Sequence, residues 1–510
     1  MHSQDFQRIA LNPVAEGVAR RSLLWFPAVV RALGQDTSPP FGAMVGDVSA
    51  ASALVWSRAS APGALSVEWS TREDFRDSRK QTGAFATPES GLTAKLPLAG
   101  LPPDQTIFYR ARFGSGEPTQ GRFRTAPAGH RSVRLLWSGD MVGQGWGIRL
   151  GQDGIPIFDA MRRREPDFFL HSGDTIYADS PVPAEVTLAD GTPWKNLTTE
   201  AKSKVAETLD EFRGNYLYNL QDAAVRRFNQ EVPQIWQWDD HEVTNNWSPG
   251  KDLRDDARYR EKDIRRLVER GRRAFLEHAP IPSLPHGRIY RRVSYGPLLD
   301  VFVIDMRTFR GANDANRQTS LQPFLGNQQV RWLARDLARS TAAWKIIAAD
   351  MPLGLIVGDG KDADGQPRFE NSANGDGPAL GRELEIARLL ASMKRSRVRN
   401  VVWLTADVHY TAAHHYHPDR ARFRDFDPFW EFVSGPLNAG TFGPGATDNT
   451  FGIDVVFQKA PPRGQSNLPP SAGLQFFGEV EIEGRSRTMS VTLRDSAGTS
   501  LFTRELQPAS

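Results

Sequence analysis

Between residues 41 and 126, apolar and polar side chains alternate in short runs that glycine, proline and serine separate. The segments Ala-Leu-Val-Trp-Ser at 53–57 and Leu-Ser-Val-Glu-Trp at 65–69 are typical of strands with one buried face. This all-β pattern predicts a small β-sandwich over 41–126. The segment Thr-Ala-Pro-Ala-Gly at 125–129 is the predicted linker to the rest of the chain.

From residue 130 onward, apolar runs alternate with stretches of helical periodicity. Strands are predicted at 133–137, 168–170, 235–238, 298–304, 345–349 and 401–405. Helices are predicted at 155–164, 201–220, 253–277, 327–340 and 382–393. This alternation predicts a layered α/β domain over 130–510, which ends in further strands at 478–482 and 489–493.

An aspartate closely follows each of the six apolar runs. These residues are Asp140, Asp174, Asp240, Asp305, Asp350 and Asp407. Ligands of α/β sheets bind outside the carboxyl ends of the strands, so we expect the six carboxylates to converge. A single aspartate there is usually a helix cap or a turn residue, but six clustered carboxylates would repel one another unless cations neutralised them. The pattern therefore predicts a metal centre.

The amino-acid composition excludes several kinds of site and of binding partner. The 510 residues contain no cysteine, which excludes disulfides, thiolate metal sites and cysteine nucleophiles. The formal charge is +3 and no long basic block occurs, so we expect no specific binding of nucleic acid. No window approaches the roughly 18 consecutive apolar residues that a membrane helix needs, so we expect no membrane span.

The first 40 residues form a segment of their own. Arg20 and Arg21 precede a short apolar stretch, and small residues follow at 32–34, which resembles a twin-arginine export signal. Pro27 and Arg31 interrupt the apolar stretch, so the signal is degraded. Two interpretations stay open: export to the periplasm or the exterior, or an amphipathic segment that packs on the body of the protein.

Three motifs carry the most chemical information. They are His-Ser-Gly-Asp-Thr-Ile-Tyr at 171–177, Trp-Asp-Asp-His-Glu at 238–242 and Thr-Ala-Asp-Val-His at 405–409. In this order they resemble the metallophosphoesterase superfamily, in particular the alkaline phosphatase D (PhoD-like) family, with purple acid phosphatases as distant relatives. The resemblance extends from about residue 41 to the C-terminus. It implies a layered metallophosphoesterase-type β-sandwich with flanking helices.

The N-terminal sandwich carries a weaker resemblance. The segment 101–109 is similar to the corner of fibronectin type III domains, so we expect a fibronectin-III-like sandwich over 41–126. The corner position falls on Phe108, with Tyr109 beside it. The hydroxyl that normally bonds to the backbone at this corner is therefore expected to be missing or displaced.

The resemblance to the PhoD-like family implies two metal ions, the first of them at the first and third motifs. It implies that Asp174 bridges two ions and that Tyr177 binds the redox-capable or trivalent one. Asp140 and His409 complete the shell of that ion. Relatives often carry a cysteine near the first of these residues, whereas this chain reads Ser-Gly-Asp-Met at 138–141, so Asp140 has to supply the ligand.

The resemblance assigns Asp240, Asp350 and Asp407 to the second ion. Oxygen donors alone favour calcium, magnesium or manganese over zinc, whereas the hard phenolate of Tyr177 favours Fe(III). We therefore expect Ca²⁺ and Fe³⁺ as the cofactors, with Mn²⁺ or Mg²⁺ as alternatives at the oxygen-rich site.

Two residues are the candidates for catalysis. His241 neighbours a metal ligand and is expected to face the phosphoryl group as an acid or a hydrogen-bond donor. Arg307 is expected to offer its guanidinium either to a phosphate oxygen or to Asp305, and both alternatives stay open.

The predicted function is that of a metal-dependent phosphoesterase, an alkaline phosphatase or phosphodiesterase. Metal-activated hydroxide would hydrolyse phosphate monoesters, diesters or both, in small molecules or polymers. Two alternatives remain: a non-catalytic cell-surface binding protein on a hydrolase scaffold, and a metal-dependent hydrolase of other esters.

Overall fold

The computed structural model of the protein describes residues 39–509. The double arginine of the predicted export signal lies outside these residues. Among the residues that are described, no helix has the length and apolar character needed to cross a membrane.

The strands and helices are numbered in chain order. Strands β1 to β7 are Ala43–Gly46, Ser52–Arg58, Gly63–Ser70, Arg79–Ala86, Thr93–Ala99, Thr106–Phe113 and Thr119–Arg124. Strands β8 to β15 are Val133–Ser138, Phe168–Ser172, Glu185–Thr187, Pro193–Lys195, Gln234–Gln237, Arg291–Tyr295, Leu299–Val303 and Trp344–Ala348. Strands β16 to β26 are Leu355–Ile356, Gly358–Lys361, Pro367–Phe369, Val401–Thr405, Thr411–Tyr416, Phe429–Val433, Ala446–Thr447, Ile453–Lys459, Phe476–Ile482, Met489–Asp495 and Ser500–Leu506. Helices α1 to α6 are Pro156–Arg162, Leu209–Asn219, Ala223–Glu231, Ile264–His278, Asn327–Arg339 and Glu383–Arg395.

Two large sheets pack face to face. One has the strand order β26-β25-β24-β8-β9-β12-β1-β2-β5, and the other has the order β13-β14-β15-β19-β21-β20-β23. Successive side chains of a strand point to opposite faces, so Leu135 and Trp137 of β8 lie in the core between the sheets. Leu136 instead packs on the outer face, among residues of α1 to α4. Helices α5 and α6 cover the outer face of the second sheet. The predicted layered α/β sandwich is confirmed.

The first seven strands form the predicted small sandwich. A four-stranded sheet, β4-β3-β6-β7, packs on β1, β2 and β5 around a core of its own. Strand β1 also pairs in parallel with β12, so β1, β2 and β5 are the edge of the nine-stranded sheet. The hydroxyl of Tyr109 donates to the carbonyl of Gln230 in α3, 3.1 Å away.

Two of the predicted helices begin later than their apolar periodicity indicated. Helix α2 begins after Thr208, which forms a reciprocal capping box with Glu211. Helix α4 begins after Asp263, whose side chain accepts from the backbone N–H of Arg265. The capping residues, and not the apolar spacing, determine where these helices start.

The indole of Trp137 links the two sheets. Its Nε1–H donates to the carbonyl of Thr405 in β19, 3.2 Å away, and the ring lies over Gly478 of the neighbouring strand β24. A Cβ atom on Gly478 would lie 2.1 Å from that ring. Glycine is therefore required here because the ring occupies the space of a side chain.

We expect Gly478→Ala to lower the free energy of unfolding by about 1–3 kcal/mol, because the indole has to move out of a packed core. Gly83→Ala on β4 is the matched control, since its Cβ would lie 3.6 Å from Leu96, an ordinary contact. Urea denaturation of both variants checks this. Equal losses in the two variants would contradict the proposed role of the glycine.

Candidate metal centre

The carboxyl ends of the central strands bring the predicted aspartates together. Strands β8, β9 and β12 are parallel neighbours in the first sheet, and β14, β15 and β19 are parallel neighbours in the second. Five of the six predicted aspartates lie at these ends with their carboxylates directed into one cluster. They are Asp140, Asp174, Asp240, Asp350 and Asp407.

Asp305 is the exception to the predicted convergence. Its carboxylate accepts from the backbone N–H groups of Arg307 and Thr308, from the Thr308 hydroxyl, and from the indole of Trp238 at 3.0 Å. These bonds are those of a turn residue, so the local interpretation that applies to a single aspartate is correct at this position.

The first group of candidate ligands comprises Asp140, Asp174 and His409. One ligand atom from each lies within 4.8 Å of the others, and the Tyr177 hydroxyl is 2.8 Å from Nε2 of His409. Nδ1 of His409 donates to the carbonyl of Gly440, which leaves Nε2 as an acceptor. Burial lowers the pKa of His409 to about 4. The imidazole is therefore neutral at neutral pH, as a metal ligand has to be.

A second group comprises Asp239, Asp240 and Asp407, again with ligand atoms within 4.8 Å of one another. Between the two groups, Asp174, Asp240 and a ring nitrogen of His241 form a third group of the same size. Asp174 therefore belongs to both the first group and the middle group. This arrangement is what the predicted bridging role requires.

Several of these residues have a backbone conformation that side chains rarely adopt. The φ angles of Asp140, Asp174, Asp407 and His409 are +63°, +50°, +68° and +59°. A positive φ is uncommon for residues other than glycine, although aspartate and histidine tolerate it better than most. Such strain persists only where the surrounding structure enforces it, and it clusters at functional sites.

Burial raises the pKa values of most of the clustered carboxyl groups, but at Asp240 the charges of His241 and Arg307 outweigh burial and lower the pKa to about 2. The pKa of Asp140 rises to about 8 and that of Asp350 to about 6, and those of Asp174, Asp239 and Asp407 rise well above the usual range. A positive charge inside the cluster would reverse these shifts because it favours the ionised carboxylate.

Buried carboxylate oxygens without partners also fit metal ions. Both oxygens of Asp140, and one oxygen each of Asp239, Asp240 and Asp350, are buried and accept no hydrogen bond. Buried polar atoms are nearly always satisfied in native proteins, and an ion supplies the partner that these oxygens lack. The residues present therefore suit hard cations.

His241 is held by a carboxylate that the sequence analysis did not single out. Its Nδ1 lies 2.6 Å from Oδ1 of Asp179, whose other oxygen accepts from the backbone N–H of Asn245 at 2.8 Å. The ring also packs on that of Tyr177, with the centroids 4.2 Å apart. Burial favours the neutral ring, but Asp179 and the neighbouring carboxylates outweigh it and raise the pKa of His241 well above its usual value.

Arg307 lies inside the carboxylate cluster and is fully buried. Its Nε is 2.7 Å from Asp239 and 3.1 Å from Asp350, and its Nη1 contacts Glu370. Of the two predicted partners, Asp305 bonds the backbone N–H of Arg307 and not its guanidinium. Contact with a phosphate oxygen stays a prediction for this side chain, which is 0% exposed.

Comparison with known families agrees with this geometry. The PhoD-like phosphatase model matches residues 135–493, and the N-terminal domain model of PhoD-like phosphatases matches residues 28–127. The chain belongs to the PhoD-like phosphatase family. It is 27% identical over 463 residues to alkaline phosphatase D of Bacillus subtilis (strain 168), a match that covers 85% of this chain and 74% of that protein. A solved structure of PhoD is similar in fold, with a TM-score of 0.68, 20% identity and 93% coverage of each chain.

As a PhoD-like phosphatase, the protein is a metal-dependent phosphoesterase, a hydrolase of phosphoric ester bonds. The prediction of this activity is confirmed. The alternative of a non-catalytic binding protein is not supported, because the chain matches both family models and retains every residue that the resemblance assigned to the centre.

Sequence reasoning missed four acidic residues of this PhoD-like site. Asp239 and Glu242 flank the aspartate–histidine pair in the second motif, so their proximity in the chain was an available signal. Asp179 follows the first motif by two residues. Glu370 lies on an irregular segment far from any motif, and no local pattern indicates that it meets Arg307.

Glu242 organises the loops of the site through its carboxylate. That carboxylate accepts from the backbone N–H and hydroxyl of Thr175, both at 2.5 Å, and from the backbone N–H groups of Asp239 at 2.6 Å and Asp174 at 3.2 Å. One fully buried side chain thereby holds the loops after β9 and β12 together.

We expect Glu242→Gln to reduce the free energy of unfolding by about 2–3 kcal/mol, because the amide N–H₂ would face backbone donors and lose charge-assisted bonds. Denaturation in a chelating buffer measures this without a contribution from bound ions. Glu481→Gln is the control, since that partly exposed carboxylate forms a surface pair with Arg134 at 3.3 Å and should change stability by less than about 1 kcal/mol. A loss no larger than that of the control would contradict the role of Glu242.

Proposed function

We propose that this phosphoesterase hydrolyses phosphate monoesters or diesters at a centre of two metal ions held by the clustered carboxylates. The observation that carries the proposal is the set of buried, unpartnered carboxylate oxygens on Asp140, Asp240 and Asp350. Oxygens of this kind at the carboxyl ends of parallel strands favour bound cations over a purely structural cluster.

In this proposal Asp140, Asp174, Tyr177 and His409 hold the first ion, as the proximity of their side chains supports. A hard phenolate and two carboxylates favour Fe³⁺ there. When bound, such ions polarise phosphoryl oxygens and lower the pKa of water.

The second ion is assigned to Asp240 and Asp407, which share a group, and to Asp350, whose Oδ2 lies 3.1 Å from Nε of Arg307 beside them. Asp174 shares a group with Asp140 and His409 and another with Asp240. All donors of the second ion are oxygens, which favours Ca²⁺, with Mn²⁺ or Mg²⁺ as alternatives. Asp239, which belongs to the group of Asp240 and Asp407, adds another oxygen that the sequence analysis did not count. The donor atoms of the proposed site are therefore harder than those of a site that contains imidazole.

The substrate reaches the cluster where it retains some exposure. The side chains of His241 and Asp407 are each 10% exposed, whereas those of Asp140 and Asp350 are essentially inaccessible. His241 therefore meets the phosphoryl group from the solvent side. Asp179 holds Nδ1, so Nε2 is the ring nitrogen that can give a proton to the leaving oxygen.

We also propose that the chain is exported to the periplasm or the exterior. The support is the double arginine at Arg20 and Arg21 before a short apolar stretch. The absence of cysteine is compatible with an oxidising compartment, because no thiol can form a wrong disulfide there.

The bridging assignment predicts the behaviour of Asp174→Asn. Removal of one anionic oxygen shared by two ligand groups should weaken both ions, so the variant should bind less metal and lose nearly all turnover while it stays folded. Elemental mass spectrometry, circular dichroism and hydrolysis of p-nitrophenyl phosphate measure the three quantities. Wild-type activity in this variant would show that Asp174 is not the bridge.

The acid role predicts how His241→Asn depends on the leaving group. A poor leaving group needs a proton and a good one departs without it. The variant should keep its metal and lose about 10²–10⁴-fold in rate on an alkyl phosphate, but much less on p-nitrophenyl phosphate.

Asp179→Asn is the companion variant to His241→Asn, because it removes the carboxylate that orients the ring and leaves the ring in place. It should show the same dependence on the leaving group with a smaller loss. Equal losses on the two substrates would reduce His241 to a hydrogen-bond donor, and loss of metal from His241→Asn would make it a ligand.

A further inference from the structure

Two buried arginines lack a carboxylate partner. Arg310, on the segment that follows β14, is 3% exposed, and Arg382, directly before α6, is 1% exposed. Within residues 39–509, no carboxylate oxygen lies within 4.0 Å of either guanidinium group. The other two buried arginines of this range, Arg291 and Arg307, both form ion pairs with aspartate. The usual way of neutralising a buried guanidinium is therefore missing at Arg310 and Arg382.

The two guanidinium groups meet at one neutral oxygen. Oδ1 of Asn313 accepts from Nη2 of Arg310 at 2.9 Å and from Nη1 of Arg382 at 3.3 Å. Both groups also lie over the ring of Phe324, with Cζ atoms 5.1 and 6.0 Å from its centroid. Two positive charges therefore share an amide oxygen and an aromatic ring, and neither of these carries a negative charge.

The hydrogen bonds of this pair are incomplete. Nε and Nη1 of Arg310 are buried and donate to no acceptor, and no other arginine of residues 39–509 has two such nitrogens. Nε of Arg382 is also buried without an acceptor, whereas its Nη2 donates to the carbonyl of Phe369 at 2.6 Å. Buried N–H groups are nearly always paired, and those of cations bond most strongly to anionic acceptors.

The carboxylates that act on this pair from a longer distance do not neutralise it. They are Asp314, Asp350, Asp359, Glu370 and Glu383. Asp350 and Glu370 bind Arg307, and Asp359 lies 3.3 Å from Nζ of Lys251. Asp314 is partly exposed, so water screens its charge. Burial raises the pKa of Glu383 to about 8, so this group is mostly protonated at neutral pH.

Both arginines stay charged at neutral pH. Burial, together with the charges of Arg307 and Arg382, lowers the pKa of Arg310 to about 9. Burial lowers the pKa of Arg382 to about 10, although the surrounding carboxylates oppose this shift. Water would satisfy the free N–H groups but not the two charges, and a buried charge without a partner is costly.

We propose that Arg310 and Arg382 bind one small inorganic anion, which is chloride in ordinary buffers. The anion accepts hydrogen bonds from the free N–H groups and supplies the negative charge that the side chains around the pair do not. An ion of a single atom suits this position because it needs the least room among closely packed side chains. The inference goes beyond the proposed function and does not depend on which ester the protein hydrolyses.

The anion would join two segments that are distant in the chain. Arg310 belongs to the irregular segment after β14, and Arg382 precedes α6. The backbone N–H of Arg382 donates to Oδ1 of Asn316 at 2.6 Å, so the two segments already meet here. The two guanidinium groups are brought together only in the folded chain. An anion that needs both of them therefore stabilises the folded state over the unfolded one.

Thermal unfolding of the full chain tests the site. We expect the melting temperature of the wild type to rise with sodium chloride and then to saturate, relative to sodium methanesulfonate at the same ionic strength. Bromide should act in the same way, because it is also an anion of one atom. Phosphate is left out of the buffers, since the proposed metal centre would also bind it. A wild type that responds equally to chloride and methanesulfonate would overturn the proposal.

Arg310→Met removes the free N–H groups and one of the two charges. Its melting temperature should respond to chloride no more than to methanesulfonate. Arg291→Met is the matched control, because it removes a buried arginine that is bound to Asp47 through bonds of 2.6 and 2.8 Å, and it should keep the chloride response. An undiminished chloride response in Arg310→Met would place the anion elsewhere and overturn the proposal.

Anomalous diffraction locates the anion without the need for a variant that folds. In crystals of the wild type soaked in sodium bromide, we expect a bromide peak beside Nε or Nη1 of Arg310. Ordered water at these nitrogens without an anomalous peak would overturn the proposal, because water leaves the two charges without a counter-ion. Bromide found only at the metal centre would overturn it as well.

Discussion

The burial of many carboxylates at one edge of the sandwich is the constraint on which the rest of the structure depends. Removal of a charged carboxylate from water costs several kcal/mol even after relaxation, and each neighbour of like charge adds to that cost. Without compensating positive charge, such carboxylates would be exposed to solvent or protonated. Here they are retained at the ends of rigid strands, together with one buried arginine and one histidine whose pKa is raised. Positive charge, internal or bound, lowers the cost of keeping this cluster in the fold.

The local backbone structure holds these carboxylates in the cluster. Aspartate residues in the left-handed region turn their side chains inward directly after β8, β9 and β19, where the backbone leaves the sheet. The carboxylate of Glu242 accepts hydrogen bonds from backbone N–H groups of the two loops that carry Asp174 and Asp239. Trp137 connects one sheet to the other next to the third motif. The precision of the site therefore comes from the backbone and its supports, more than from the ligand side chains themselves.

Sequence reasoning succeeded where the pattern is local or periodic. The apolar runs predicted the central strands of both sheets, and the aspartates that follow them predicted five members of the cluster. It failed at Asp305, because an aspartate in a turn and an aspartate that binds a metal ion can both follow a strand, and the sequence does not distinguish them. It also missed Glu370, because the contact of that residue with Arg307 joins segments 63 residues apart through irregular backbone. The late starts of α2 and α4 show the same limit on a small scale, since a capping residue overrides a longer apolar pattern.

The two halves of the centre differ in how they manage charge. The first group contains a neutral imidazole, fixed by the carbonyl of Gly440, so it carries less negative charge per ligand than a group of carboxylates alone. The second group contains carboxylates only, and Arg307 lies on that side. A cation built into the chain is therefore found where the negative charge is densest. Since Arg307 cannot dissociate, that side keeps part of its neutralisation at all times.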